Sequence, residues 1–504
     1  MKEQGSRAEE VKKRVALVIQ SIRSTMGTSL GPKGMDKMIT QGTNTTITND
    51  GSTILKTMKM KHPIAQLICN ISHSQDEQSG DGTTSITLLL CSFVEQALEL
   101  TQRKIHPVII AEAMEVAKNV CKDVLMANAS KIEGHGDVRD CIRVSLNSKI
   151  VNAYIEKITE VTMKVIEHST DKKTQDLKLS NVRRVKIKGN MEETEMVSGI
   201  VLSAPLKKNI KFVPRKMKVA IFQCTIGQSK PSIDSKIKIG NYESVEQVIR
   251  EEKAHVLSLC KKIKEKEIDL IILQKSIIRE SLSELGLHFL ERMGIMIVDD
   301  VERKEIELCV EQMGITPVVD INEIQESMIG EYHVEELEGH VKISAGEGVC
   351  TVVLRGTDDV ILEEVDRSFN DAVNVGRLAV KRPLITYGGG VSELLCYTEL
   401  VKYSGSSNPK INYCVRELAK GLLIIPEMLA INAGANSITT VENLIKLHSQ
   451  EKKTYGVSIK AVGEGNMKKE NVVQPVDVSI SGISGAFDGA STIIRIDDFI
   501  PASK

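Results

Sequence analysis

The chain has 504 residues, 41% hydrophobic, 26% charged and 3% aromatic, with no tryptophan. It is too long for a single core, and length suggests about three soluble domains with interiors of Ile, Leu, Val, Ala and Met. With 66 basic and 67 acidic residues the net charge is −1, which argues against a generally nucleic-acid-binding surface.

Met1 to Lys13 is charged and lacks a signal-peptide core, and no apolar run reaches membrane length. From Glu9 to Met26, Val11, Val15, Val18 and Ile22 recur at helical spacing. The turn Leu30-Gly31-Pro32-Lys33-Gly34 follows; its glycines admit unusual backbone angles and Lys33 brings charge, but it is not a Walker A loop. Thr45 to Thr48 reads as a short strand and Asn49-Asp50-Gly51 as a tight turn, in which Asp50 taken alone is only a turn residue. Gly80-Asp81-Gly82-Thr83-Thr84 precedes an apolar run, Ile86 to Val94, too long for a strand and read as a buried helix. The motif then lies at a helix N-terminus, where free N–H groups favour phosphate, and Asp81 adds a hard oxygen ligand suited to Mg²⁺. The plain alternative for this motif is a turn that caps a helix.

Helical patterns cover Lys104 to Ala129, with Pro107 near the start, and Ala153 to Glu167, with a break at Ser145 to Lys149. A polar stretch, Asp171 to Ser180, marks a boundary before a strand at Val182 to Ile187. Beyond Ser198, strands at Val219–Cys224, Leu270–Leu273, Ile295–Val298 and Pro317–Val319 alternate with helices at Ser244–Glu265, Ser276–Met293 and Val301–Met313, the pattern of an α/β unit with parallel strands. A polar excursion, Gly227 to Asn241, reads as a protruding arm or a loop. The strand Val349–Leu354 leads to a helix whose apolar stripe is Val365, Phe369, Ala372 and Gly376. Asp371 lies off that stripe, so a solvated face is its default. Gly388-Gly389-Gly390 opens another helix, and helices continue to about Leu447. A loop with Gly456, Gly463 and Gly465, a helix, and a final strand at Ile493–Ile496 complete the chain. The ten cysteines are scattered singly with no Cys-x-x-Cys pair, which suggests reduced, buried thiols rather than a zinc site or disulfides.

Leu30 to Lys37, Asn49 to Leu55, Gly80 to Thr84, Asn370-Asp371-Ala372 and Gly388 to Gly390 follow the order and spacing of group II chaperonins, which the chain resembles over essentially its whole length. Within that family it resembles the eukaryotic cytosolic chaperonin subunits. Phe222-Gln223-Cys224 with Ser229-Lys230-Pro231, Leu287 to Leu290 leading into Asp300 to Arg303, and Val472 to Pro475 match a single paralogue's pattern. The resemblance implies a multidomain α/β chaperonin fold: a mostly helical equatorial domain (1–142 and 387–504), a small α/β intermediate domain (143–197 and 350–386), and an α/β apical domain (198–349) with a lid protrusion at about 227–243.

It further implies an ATP-dependent chaperone subunit of a cytoplasmic hetero-oligomeric double ring, hydrolysing ATP with Mg²⁺ (and admitting K⁺) to fold clients such as actin and tubulin, without nucleic acid or membrane. Carried over by position, Leu30, Gly31 and Pro32 wrap the phosphates, while Gly82, Thr83, Thr84 and Ser85 bind them. Asp81 holds the metal, Lys149 senses the terminal phosphate, and Gly388, Gly389 and Gly456 adjoin sugar and base. Asp50 and Asp371 orient and activate water. Asn466 and Gln474 are neutral where acidic residues are commoner in the family. Two other readings stand beside this one: a structural ring subunit with weak or no ATP turnover, and a small-molecule kinase.

Overall fold

In a computed structural model of the chain, the described residues are 2–499 apart from 43, 133, 171–176, 178, 208–213, 228–241, 277–279 and 345–348. The first stretch runs α1 (Lys2–Gly27), β1 (Lys37–Gln41), β2 (Asn44–Thr48), α2 (Gly51–Thr57), α3 (Pro63–Ser79), α4 (Thr83–Gln102) and α5 (Pro107–Asn128). Next come β3 (Ser130–Lys131), α6 (His135–Leu146), α7 (Ile155–Ser169), β4 (Val182–Lys188) and β5 (Glu195–Ser198). The centre holds β6 (Ile200–Pro205), β7 (Arg215–Phe222), α8 (Tyr242–Glu265), β8 (Leu270–Gln274), α9 (Glu284–Arg292), β9 (Met296–Val301), α10 (Arg303–Met313), β10 (Ile329–Leu337) and β11 (His340–Ile343). The chain returns through β12 (Cys350–Gly356), α11 (Asp359–Lys381), β13 (Leu384–Tyr387), α12 (Val391–Val401) and α13 (Pro409–Ala419). It ends with α14 (Ile424–Ala433), α15 (Ser437–Ser449), β14 (Tyr455–Ser458), β15 (Gly463–Asn466), β16 (Val473–Pro475) and α16 (Val476–Ile494).

Both ends of the chain share one core. Val15, Ile19 and Ile22 of α1 pack with α2 to α5 and with α12, α13, α14 and α16 around the apolar face of α4. Phe93 of α4 stacks on Phe487 of α16, with ring centroids 4.0 Å apart and 10° between planes. A second core joins α6 and α7 to β12 and α11, so residues 138–191 pack with 350–379 across the central insertion. Here β12 lies between β4, parallel, and β5, antiparallel. The central residues form a six-stranded sheet in the order β6-β11-β10-β7-β8-β9 with a core on each side. Only β7-β8-β9 are parallel in it, so the expected parallel unit is embedded in a mixed sheet.

Several local expectations change. Thr45–Thr48 belongs to an antiparallel hairpin with β1, whose alternation is too weak to announce a strand. Asn49-Asp50-Gly51 is no turn of a hairpin: Asp50 is the N-cap of α2. Within Ser276–Met293 the helix covers only Glu284–Arg292, started by Ser283, whose hydroxyl accepts the Gly286 N–H at 3.1 Å. Pro317–Val319 makes a single bridge, Phe222 to Val318. Gly456, Gly463 and Gly465 sit in the β14–β15 hairpin, and Ile493 and Ile494 end α16 rather than form a strand. Of the polar excursion, 228–241 lies outside the described residues, as does most of the expected boundary at 171–180. All ten cysteines are free thiols, eight of them buried. No helix among the described residues is long and apolar enough to cross a membrane.

Because Phe487 ties the last helix to the first core, Phe487→Ala is expected to cost about 3–5 kcal/mol. Scanning calorimetry should show a lower midpoint for the transition of that body, whereas a thermogram unchanged from wild type would contradict the shared core.

Candidate functional site

The N-terminus of α4 is where the candidate residues meet. Gly82 takes φ +80° as its N-cap, a left-handed angle glycine adopts without a Cβ penalty. The Asp81 carboxylate folds back to accept the Gly82 N–H at 2.7 Å. The next N–H groups, of Thr83, Thr84 and Ser85, belong to the first turn of a 20-residue helix, so the dipole adds its positive end there. Asp50 faces them from the start of α2. One of its oxygens accepts the Thr53 N–H and the other the Thr83 hydroxyl, each at 2.8 Å, so one carboxylate ties two helix starts together.

Lys149 arrives from the turn after α6, and its ammonium ion-pairs with Asp371 of α11. Asp371 was expected on a solvated face, yet it is only 6% exposed. The helix carries a second buried line, Glu364, Ser368, Asp371 and Asn374, beside the apolar stripe, and it faces α3 and β2 instead of water. Burial pushes the Asp371 carboxyl well above the ordinary range; the Lys149 charge opposes this, and Asp50 and Asp76 add to it. Burial alone would lower the Lys149 ammonium, but Asp371, Asp81 and Asp50 together hold it up at about 12. Asp76 on α3 is raised too, first by burial and then by Asp50.

These residues border a cavity of about 510 Å³, within the usual range for a small-molecule site. Leu30, Gly31, Pro32, Asp50, Asp81, Gly82, Thr83, Thr84, Ser85, Lys149, Asp371, Gly388 and Gly389 all line it. Gly456 does not. It stands behind the wall, where a Cβ would come within 2.7 Å of the Gly389 carbonyl oxygen. Sequence reading passed over Asp76, Glu393 and Arg143, of which the last two line the cavity. Glu393 follows Gly390 by three residues, a spacing that could have flagged it as first-turn acid at a second helix N-terminus. Burial raises it to about 7.

The donor set suits a polyphosphate carried with a divalent cation. Helix N–H groups, hydroxyls and Lys149 offer an anion-binding end, while Asp50, Asp81 and Asp371 supply hard oxygens beside it. The buried Asn49 Oδ1 has no hydrogen-bond partner among the described residues, so this wall keeps a free polar acceptor. Among the described residues no three His, Cys, Asp or Glu side chains form a group that could hold a metal ion.

Residues 22–504 match the TCP-1/cpn60 chaperonin family. The T-complex protein 1 subunit delta of Homo sapiens is 36% identical over 499 residues, spanning 95% of this chain and 92% of that protein. The proteins of that name from Bos taurus and Saccharomyces cerevisiae are 35% and 34% identical, covering 95% and 97% of this chain and 91% and 96% of their own lengths. Delta is the paralogue whose pattern Phe222-Gln223-Cys224 and Val472 to Pro475 resemble.

Two outcomes follow from the electrostatics. Lys149→Met leaves Asp371 buried without its cation and is expected to destabilise the fold by about 3–5 kcal/mol, partly restored by adding Asp371→Leu; chemical denaturation checks both. The raised Glu393 favours the folded state while protonated, an advantage complete below about pH 4.5 and lost as pH rises through about 7. Glu393→Gln should therefore gain on wild type between pH 5 and pH 8, by up to about 3 kcal/mol, in melting temperatures measured against pH.

Proposed function

This chain belongs to the TCP-1/cpn60 chaperonin family, and from that premise we propose that it is an ATP-driven chaperone subunit. It works in the cytosol, in a hetero-oligomeric double ring of paralogous subunits, and hydrolyses ATP with Mg²⁺ to fold non-native proteins, actin and tubulin among them. The observation that carries the reading is the gathering of Asp50, Asp81, Lys149 and Asp371, from four distant stretches, around one cavity at the α4 N-terminus. The relatives' name, that of a subunit, supports the assembly.

Phosphoryl transfer to water demands positioning and charge stabilisation more than covalent chemistry. The α4 N–H groups with the Thr83, Thr84 and Ser85 side chains receive phosphate oxygens, and the Gly31 loop covers them. Asp81 would hold the metal, Mg²⁺ when bound would supply charge neutralisation on the phosphates, and the site would also admit K⁺. Gly388 and Gly389 adjoin the sugar and base. Asp50 and Asp371 orient the attacking water and take its proton, and burial suits Asp371 to that task by raising its proton affinity. Lys149 holds Asp371 while its charge is not needed by phosphate. A terminal phosphate competes for that ammonium and thereby frees the base.

This reading divides the chain into equatorial 1–142 and 387–504, intermediate 143–197 and 350–386, and apical 198–349, with Val138 and Ile142 of α6 packing into the intermediate core just ahead of its first bound. Asp371 stands on the intermediate helix α11 and Asp81 on the equatorial part, so closure of one on the other gates hydrolysis. On the apical part, Leu285, Leu287 and Phe289 of α9 are half-buried and offer apolar surface to a client.

Asp371→Ala in the assembled ring should leave ATP binding intact and slow hydrolysis at this subunit by about 10²-fold or more, together with lid closure. Nucleotide binding, phosphate release and protease resistance of the closed state test this. Unchanged hydrolysis and closure would instead make the chain a structural subunit of the ring.

A further inference from the structure

One buried amide on the cavity wall has no part in the steps above. Asn49 stands between β2 and α2, directly before Asp50, and is 6% exposed. Its Nδ2 donates to the backbone carbonyl of Ser148 at 3.0 Å, a bond between residues 99 apart in the chain. Its Oδ1 is buried without a partner among the described residues. The Ser148 carbonyl belongs to the same peptide unit as the Lys149 N–H, which donates to the Leu146 carbonyl at 3.1 Å. On the far side, the Lys149 carbonyl accepts the Asn152 N–H at 3.0 Å, at the start of the 3-10 helix Ile150–Tyr154. Peptide units are planar, so bonds that fix the planes on both sides of Lys149 also fix the direction in which its side chain leaves the backbone. Of these bonds, the one from Asn49 reaches the lysine from outside its own turn.

A buried Oδ1 without a partner is a cost that an apolar side chain of the same branched shape would avoid, so packing alone does not explain an amide here. We propose that Asn49 is a positioning residue for Lys149: it anchors the Ser148–Lys149 peptide to the start of α2, so that the ammonium passes from Asp371 to the terminal phosphate while its main chain stays fixed. Its neighbour Asp50 is itself held on Thr53 N and the Thr83 hydroxyl at the phosphate end. One dipeptide therefore keeps the lysine in register with the α4 N-terminus, although the helix before the lysine, α6, packs in the second core. The proposal rests on the reading that Lys149 answers the terminal phosphate of bound ATP.

The test uses the assembled ring with this subunit altered. Occupancy of its cavity is read from subunit-resolved density across titrations with ADP and with the non-hydrolysable ATP analogue AMP-PNP, and ATP-to-ADP conversion is read after fixed times. Asn49→Leu should weaken AMP-PNP about ten-fold, leave ADP unchanged and slow conversion by at least as much, because the terminal phosphate alone loses its cation. A residue that only filled the wall would not tell the two nucleotides apart. Asn49→Ala should behave as Asn49→Leu does, and it decides the matter should the leucine variant fail to assemble. Adding Asn49→Leu to Lys149→Gln should cost no more than Lys149→Gln alone. Wild-type discrimination between AMP-PNP and ADP in the Asn49 variants would overturn the proposal, as would equal weakening of both nucleotides. Lys149→Gln, which can still donate to Asp371 but brings no charge, separates the failures. If it loses the discrimination while the Asn49 variants keep it, only the positioning role falls; if it too binds both nucleotides as wild type does, the reading of Lys149 falls and takes the role with it.

Discussion

Lys149 is surrounded by more negative charge than it can neutralise. Asp371 holds its ammonium directly, and Asp81 and Asp50 act on it from nearby. A carboxylate cluster of this kind, largely withdrawn from water, is stable only because the lysine sits within it. The same crowding gives the cavity its character: a positively biased helix end on one side and an acidic wall on the other. A ligand that brings both phosphate and a divalent cation relieves the wall and occupies the helix end at once.

Chain topology serves this cluster. Asp50 and Asp81 stand at the starts of α2 and α4, in a core that both chain ends complete. Lys149 and Asp371 come from the smaller core, where α6, α7 and α11 pack across an insertion of roughly 150 residues built as its own mixed sheet. Two bodies each contribute half of the charged set. Their docking therefore has an electrostatic as well as an apolar component, because Asp50 and Asp81 lose the nearby Lys149 charge whenever the smaller core is withdrawn. In the proposed function, that would be the physical basis for coupling hydrolysis to movement.

Much of this was legible in the chain itself. Gly80 to Thr84 before the run Ile86 to Val94 already placed the start of a buried helix, because continuous apolar length distinguishes a buried helix from a strand. The family motifs supplied the partners Asp50, Lys149 and Asp371, which no local periodicity connects. The failures have physical causes. Asp371 looked solvated because periodicity shows only where apolar residues lie, and its helix buries a second, polar line. Asp50 looked like a turn because Asn-Asp-Gly serves turns and helix caps equally well. The ends of α9 and α16 were misjudged because apolar residues continue past or before the hydrogen-bonded segment, as with Ile496 after Ile494. Asp76 was invisible because its interest lies in a neighbour, Asp50, brought by tertiary structure.

The most direct measurement of the central claim is the structure of the closed assembly with ADP, aluminium fluoride and Mg²⁺ bound to this subunit. The account predicts Asp81 against the metal, Asp50 and Asp371 flanking the water opposite the fluoride, and Lys149 turned from Asp371 to the phosphate mimic. A closed state in which any of the three aspartates points away from that end of the nucleotide would contradict it.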